Sequence, residues 1–538
     1  MQNYRRRTTR LEYHIQLPRR RTTGVLAHAT QTFMRWLLSF HKFARTSSLH
    51  STLKRDRIVA FFLLILFIAG FLVRVWGMSK YHSWDEMVYL QDGQVICCGK
   101  LNYSELDFRP PLLSLIFGGV FLVWHNIWAA CVTTALINSL GPVFLFFAAA
   151  ISVGRLPAVL SSSLLAFSPF FVGIFPDGFN SDGTGDSLLT DSPSLTLIIV
   201  AFWLLLSALK RPTASRFFFA GFSLALCILM RFGSLPSVGM LLLLPLASPH
   251  RWKALIASLS GLAAGLSPYL LWSRLTFDGF LFTLRSGWKH VEGPIESFDF
   301  FIRNAPTIFT PVALSGLLLC FAFELCPSVR VYASVRDRTN LWQSNWPNVS
   351  VSIFLWLWLF CTFLFFSMMP HKEPRYILPL TPPLLILAGS GLGLFSALPN
   401  RALRIIAAFF LALSLSLTFL PLRERFSGPF VDLTTPDEEI ASRFLDALVP
   451  ATSFLWISFN YPSFAFYTNL RIHELSAVGP ELYHQMELIP PGEVLVVYRV
   501  AEDPSQSDLV WLDGSHKFIR LREYPSLVIF RRVASCVK

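Results

Sequence analysis

Charge is scarce in this chain. Only 15% of its 538 residues are charged, against 53% that are hydrophobic, and the mean hydropathy is +0.51. That shortage excludes an ordinary soluble globular protein and indicates a chain that crosses a membrane many times. Acids are scarcer than bases, 33 against 46, yet the basic excess is no nucleic-acid surface. Residues 1–57 hold 13 Lys/Arg against Glu12 and Asp56, so 13 − 2 gives +11 of the chain's +13. A basic tail ahead of the first apolar run is the positive-inside pattern. The same Arg- and Thr-rich, acid-poor composition also fits a transit segment. Phe33-Met34-Arg35-Trp36-Leu37-Leu38 reads as an interfacial helix able to bind anionic lipid. Cysteine is sparse too, and the eight present give no disulfide framework. Cys131, Cys227, Cys320 and Cys361 read as small buried hydrophobes. Cys97 and Cys98 are adjacent in what reads as a loop, Cys536 lies far away, and no metal-ligand spacing occurs. Internal repeats are also missing, which weighs against the repeat architecture of many transporters.

Long apolar runs, by contrast, are abundant. They cover Ile58–Val75, Trp128–Ser152, Leu156–Phe175, Leu188–Leu209, Phe217–Met230, Leu235–Leu246, Ala254–Leu275, Pro306–Cys326, Val351–Met369, Ile377–Leu398 and Ile405–Pro421. Leu112–Trp124, about 13 residues after Pro110-Pro111, is too short to cross untilted. If it stays at the interface, Arg155, Lys210, Arg211, Arg251, Lys253, Arg330, Arg401 and Arg404 all fall on the side of the N-terminus. The acid-bearing loops 79–110, 176–187, 276–304 and 371–376 then share the opposite side. The charges thus favour about eleven spans, with the N-terminus cytoplasmic and the C-terminus outside or lumenal. Beyond residue 430 the pattern changes. Thr435-Pro436-Asp437-Glu438-Glu439 reads as a helix start before Ile440–Leu448. Phe454–Phe459, Val494–Val500 and Leu527–Val533 read as strands. The expected fold is an all-α polytopic membrane domain over 58–425, preceded by the basic tail 1–57. A small α/β domain over 430–538 follows on the outer side.

Three polar stretches on that side carry candidate chemistry. Tyr81-His82-Ser83-Trp84-Asp85-Glu86 places adjacent carboxylates just outside the first span, where a base can deprotonate a hydroxyl. The bland alternative is acids at a helix N-terminus, favoured by its dipole. In the second stretch, Asp177, Asp182, Asp186 and Asp191 lie in a Gly-rich loop. Asp191 there suits a cap, with Pro193 just inside the helix. A loose divalent cation is the other reading of this loop, although its spacing is not that of an EF-hand. Arg231 follows a span at a tight turn, either to anchor it or to face the same cavity. The third stretch is His371-Lys372-Glu373-Pro374-Arg375-Tyr376, a cationic cluster between two apolar runs. Pro374 stops a regular helix there. Charged groups at membrane depth are costly and mark function, and a cationic cluster at a broken helix suits a phosphate. An anchor loop at the headgroups is its bland reading. Together these stretches suit transfer of a group carried on a lipid phosphate, since Arg and Lys stabilise the leaving anion.

These residues resemble the type-C glycosyltransferases, polytopic enzymes that use polyprenyl- or dolichyl-phosphate sugars, over about residues 58–421. Trp84-Asp85-Glu86-x-x-Tyr89-Leu90, Gly99-Lys100-Leu101-Asn102-Tyr103 and Asp107-x-Arg109-Pro110-Pro111-Leu112 resemble the first-loop signature of the protein-O-mannosyltransferase-like group. Leu189-Thr190-Asp191-x-Pro193 is similar to that group's second acidic loop. His371-Lys372-Glu373-Pro374-Arg375-Tyr376 is similar to a signature of the mannosyltransferases that extend lipid-linked glycans and glycolipid anchors. The resemblance implies that Asp85 is the catalytic base, with Glu86 beside it as a second catalytic acid. It further implies that Lys372, Arg375 and His371 hold the donor phosphate and that Asp191 lines the site, which Arg231 and Tyr89 are expected to line as well. No metal ligand is implied. The expected function is transfer of a sugar, with mannose first, from a polyprenyl-phosphate carrier to a hydroxyl on a protein, glycolipid or glycan. The membrane is the plasma membrane of a prokaryote or the endoplasmic reticulum of a eukaryote. A transporter or flippase of lipid-linked sugars is the alternative. Asn102-Tyr103-Ser104 is also an N-glycosylation sequon on the expected outer side.

Overall fold

A computed structural model describes residues 53–76, 78, 80, 82–168, 171, 189–289, 295–325, 351–394, 405, 426, 434–475, 480–499 and 507–533. The chain forms two compact units, Met1–Phe62 and Leu63–Lys538, and the features below lie in the second, the start of the first helix excepted. The interfacial motif at 33–38, the loop 176–187 and the run Ile405–Pro421 lie outside the described residues, Ile405 itself excepted.

Six helices among the described residues are long and apolar enough to cross a membrane. They are Arg57–Val75, Ile127–Ser152, Asp191–Lys210, Arg251–Phe277, Phe300–Leu325 and Pro374–Gly393. Five shorter apolar helices accompany them, among them Ala214–Met230 and Val351–Ser367. The six are fewer than the eleven runs read from hydropathy, for local reasons. The run after Arg155 leaves the helix at Phe167. Leu235–Leu246 breaks into the helix Leu235–Leu241 and a 3-10 turn at Leu244–Ala247, with Pro236 and Pro245 near their starts. The 17-residue helices Ala214–Met230 and Val351–Ser367 extend only about 26 Å at 1.5 Å per residue, short of a hydrocarbon core of about 30 Å.

Leu112–Val123 is a 12-residue helix, about 18 Å long and too short to span a hydrocarbon core of about 30 Å. It buries Leu113, Phe117 and Phe121 and leaves Leu115, Leu122, Val123 and Trp124 exposed. Its buried face packs on the helix Trp84–Cys98, where Gly93 and Gly118 let the two backbones approach. Ala214–Met230 and Arg251–Phe277 pack on glycine in the same way. A Cβ on Gly221 would overlap the Ser258 carbonyl oxygen, and one on Gly261 would overlap that of Phe218.

Residues 434–533 contain a five-stranded mixed sheet in the order β2-β1-β3-β5-β4. The strands are β1 Phe454–Ile457, β2 Arg471–Glu474, β3 Val494–Tyr498, β4 Phe518–Glu523 and β5 Leu527–Arg532. Strand β1 runs parallel to β2 and β3, whereas β5 runs antiparallel to β3 and β4. Both faces of β3 are buried, as its run of Val-Leu-Val-Val demands. Ala441, Leu445 and Phe464 cover one face, and Met486, Leu509 and Leu512 cover the other.

The short helix Tyr461–Tyr467 docks this region on the loop that holds Lys100 and Asn102. Lys100 Nζ donates to the Phe466 carbonyl at 2.6 Å, and Lys80 pairs with Glu439 at 2.9 Å. Asn102 Nδ2 donates to the carbonyls of Ala465 and Thr468 at 2.8 and 3.1 Å. The sequon nitrogen is therefore consumed by a protein contact, which closes it to a glycan in the folded chain.

Two cysteine readings are corrected. Cys97 and Cys98 end the Trp84–Cys98 helix rather than lying in a loop, because Gly99 supplies the left-handed residue (φ 68°) that terminates it. They are joined to each other by a disulfide. Cys361 is exposed on its apolar helix, unlike the buried Cys131, Cys227 and Cys320.

Candidate active site

A cavity of about 460 Å³ lies where the start of Trp84–Cys98, the segment 108–110, the start of Asp191–Lys210, the turn at Arg231 and the 371–376 cluster meet. Six charged side chains line it: Asp85, Arg109, Asp191, Arg231, Glu373 and Arg375. Trp84, Tyr89 and Tyr376 supply aromatic walls. The signs balance, three against three.

Local sequence explains how each group arrives. Asp85 is the second residue of the Trp84–Cys98 helix, whose first turn lines the cavity with Trp84 and Asp85. Arg109 precedes Pro110-Pro111, whose missing N–H groups end the loop and start the helix Leu112–Val123. Asp191 opens its own helix. Arg231 ends Ala214–Met230 in extended backbone, so its side chain leaves the helix axis. Pro374 opens a 3-10 turn over Pro374–Leu380 that presents Arg375 and Tyr376.

Asp85 is bracketed by two guanidinium groups. Arg109 donates to Oδ1 at 2.7 Å and Arg375 to Oδ2 at 3.2 Å. Arg375 thus reaches Asp85 across 290 positions of sequence. Arg375 also bonds Glu373 through Nε. Arg109 Nε holds Glu105 at 2.9 Å, and Arg231 holds Asp191 at 2.6 Å. Arg231 lies 5.5 Å over the Tyr376 ring, and Arg109 lies 5.3 Å over Trp84. Burial pushes the Asp85 carboxyl up, but the charges of Arg109 and Arg375 outweigh it and hold it below the ordinary carboxylate range. Glu373 follows the same pattern, with Arg375 outweighing burial.

A second row of acids stands behind Arg109. Asp92 is fully buried, and its Oδ1 accepts from Ser104 Oγ at 2.8 Å and from the Glu105 backbone N–H at 3.1 Å. Burial raises its carboxyl to about 7, and burial also raises Glu105. Asp92 therefore pins the loop segment from which Glu105 reaches Arg109.

Of the residues singled out from sequence, Asp85, Tyr89, Asp191, Arg231 and Arg375 meet at the cavity. Glu86, His371 and Lys372 do not line it. Glu86 is buried and turns back to accept from the Ser83 backbone N–H at 2.7 Å, which completes a capping box. Lys372 Nζ donates to the Glu296 carbonyl at 2.8 Å, and His371 Nε2 lies 3.1 Å from Glu373 Oε1. Arg109 and Glu373 belong to the cavity but received no role from the sequence. Arg109 was visible as the lone cation before Pro110-Pro111. Among the described residues, the grouping with metal-ligand geometry is Cys97, Cys98 and His125, well along the helix from Asp85.

Over part of its length the chain is similar to one family of sugar transferases, and over most of it to solved membrane proteins of the same fold. Residues 108–272 match the family model described as dolichyl-phosphate-mannose-protein mannosyltransferase. ArnT from Cupriavidus metallidurans, solved bound to undecaprenyl phosphate, has 14% identity with this chain and a TM-score of 0.57, over 90% of this chain and 99% of that one. Its apo form gives 0.59 at the same identity and coverage. The Archaeoglobus fulgidus oligosaccharyltransferase, solved in complex with zinc and sulfate, gives 0.52 at 11% identity, over 88% of this chain and 73% of that one. At these identities the likeness is one of fold. No curated protein matches. The matched family model is that of a transferase, so a transporter or flippase is not favoured.

Proposed function

We propose that this protein transfers a sugar, mannose being the first candidate, from a polyprenyl-phosphate carrier to a hydroxyl acceptor on the outer or lumenal face. The observation that carries the reading is Asp85 held between Arg109 and Arg375 in the lining of one cavity. A guanidinium has five donors in a planar fork, so each arginine can hold a phosphate oxygen as well as a carboxylate. The donor phosphate of the reading sits against Arg375 and Arg109, with Arg231 behind. Its negative charge offsets the guanidinium charges that depress the Asp85 carboxyl, which makes Asp85 a stronger base when donor is bound. Asp85 then takes the proton of the acceptor hydroxyl as that oxygen bonds to the anomeric carbon. The bond from that carbon to the phosphate oxygen breaks, and the lipid phosphate leaves with the electron pair, stabilised by the arginines. Attack opposite the leaving group inverts the anomeric centre. Lys372 and His371 support the donor side indirectly, by fixing the 371–376 loop. The undecaprenyl phosphate bound by ArnT supports a lipid-phosphate donor.

The test is Asp85→Asn in membranes supplied with radiolabelled lipid-linked sugar. Transfer should fall by about 10²–10⁴-fold, the usual contribution of a positioned base, with the protein still folded and inserted. Undiminished transfer would sink the assignment.

A further inference from the structure

Far along the same helix from Asp85 lies a second cluster with its own chemistry. Cys97 Sγ, Cys98 Sγ and a ring nitrogen of His125 all stand within 4.8 Å of one another. His125 follows the helix Leu112–Val123, and its Nδ1 is 3.9 Å from Cys98 Sγ. Cys98 and His125 are exposed and Cys97 is half-buried, so the cluster is open to small solutes. Behind the ring, buried Gln94 contacts His125 Nε2 at 3.4 Å through its amide group, and Gln94 Oε1 has no hydrogen-bond partner. Amide oxygen and nitrogen are interchangeable in such an assignment. With the oxygen facing the ring, Gln94 accepts the Nε2 proton, and the Nδ1 lone pair then faces the sulfurs. That is how ligating histidines are usually oriented. The Phe121 ring lies tilted 5.5 Å from the imidazole and restricts its place.

Two thiolates and an imidazole are a soft donor set, suited to Zn(II), Cd(II) or Cu(I) and not to Mg(II) or Ca(II). In the disulfide state the sulfurs are bonded to each other and are not thiolate ligands. We propose that Cys97, Cys98 and His125 form a redox-gated site for one thiophilic cation, closed as the disulfide and opened by reduction. The chemistry balances with a thiol-specific reductant. A phosphine takes the oxygen of one water as the disulfide accepts two electrons and two protons. Binding of a divalent cation then releases the two thiol protons. The site is independent of the sugar-transfer reading, since none of its three residues lines the cavity.

The test uses the full chain purified in detergent, reduced with a phosphine and titrated with Cd(II). Thiolate-to-cadmium charge-transfer absorption should saturate at one equivalent per chain, and the unreduced protein should show none. Cys97→Ser and Cys98→Ser should each abolish it. His125→Ala should weaken binding at least tenfold, and Cys361→Ser should leave it unchanged. His125→Ala also serves as the second variant should the serine substitutions fail to fold, since it leaves both thiols in place. A band that persists without Cys97 and Cys98, equal affinity in His125→Ala, or no band in protein whose thiols titrate as reduced would each overturn the proposal.

Discussion

Replacing Asp92 by asparagine isolates one buried charge. Burial lifts the Asp92 carboxyl from 3.8 to about 7, and each pKa unit is worth 1.36 kcal/mol, so ionising it inside the fold costs about 4 kcal/mol more than in the unfolded chain. The sign follows from linkage. The folded value is raised, so the stability that Asp92 contributes is fully present below about pH 4, where both states are protonated. It is lost as pH rises through 7, because the unfolded chain ionises first. The substituted amide would keep its oxygen as acceptor for Ser104 and the Glu105 N–H, and it cannot ionise. Its nitrogen would occupy the place of Oδ2, a buried atom without a partner, at a cost of about 1–3 kcal/mol that does not change with pH. The readout is therefore the difference in Tm between Asp92→Asn and wild type, measured in detergent at intervals from pH 4.5 to 7.5. Large domains shift by roughly 2 °C per kcal/mol, so the difference should move in favour of the variant by several degrees across that window. A difference that stays flat, or that moves towards wild type, would refute the burial argument. It would also remove the reason for treating Asp92 as the pin of the Arg109 loop.

Three further outcomes follow from the same geometry. Arg375→Ala should raise KM for the lipid-linked donor by about 10–100-fold, the worth of one or two charge-assisted bonds, and Arg375→Lys should recover little because a single ammonium cannot span Glu373 and Asp85. Steady-state transfer kinetics at varied donor concentration would check both. Glu86→Gln should keep transfer near wild type and cost at most about 1 kcal/mol of stability, because its carboxylate caps a helix, so strong loss of transfer would return Glu86 to the chemistry. Gly261→Ala should sharply lower the yield of folded protein in detergent, since the new methyl group would overlap a backbone oxygen that cannot step aside.

The sequence showed the apolar helices through hydropathy and the polar loops between them through charge, and the first signal is strong because a bilayer leaves a spanning chain few alternatives to the helix. It showed β1, β3 and β5 through apolar runs. It missed β2 and β4, which are the two edges of the sheet and alternate too weakly to stand out, as Arg-Ile-His-Glu and Phe-Ile-Arg-Leu-Arg-Glu. Such polar edges discourage further strand pairing, so the feature that hides them from pattern reading is one that keeps the sheet from extending.

The candidate site was legible as to side and unreadable as to contact. Spacing and charge parity set Asp85, Asp191 and Arg375 on one face, but spacing cannot tell which acid of an adjacent pair looks inward. Asp85 and Glu86 differ by one residue, about 100° around a helix. That turn sends Asp85 to two arginines in the cavity lining and Glu86 back to its own helix cap. Lys372 and Arg375 part in the same way, because Pro374 ends the extended segment between them and the 3-10 turn carries Arg375 inward. The doublet Asp-Glu and the cluster His-Lys-Glu-Pro-Arg-Tyr are thus each divided into one residue that faces the cavity and a neighbour that fixes the backbone. A site built this way loses affinity or rate when the inward member changes and loses its geometry when the outward member changes. Donor KM and thermal stability, measured together on Arg375 and Lys372 variants, separate those two effects.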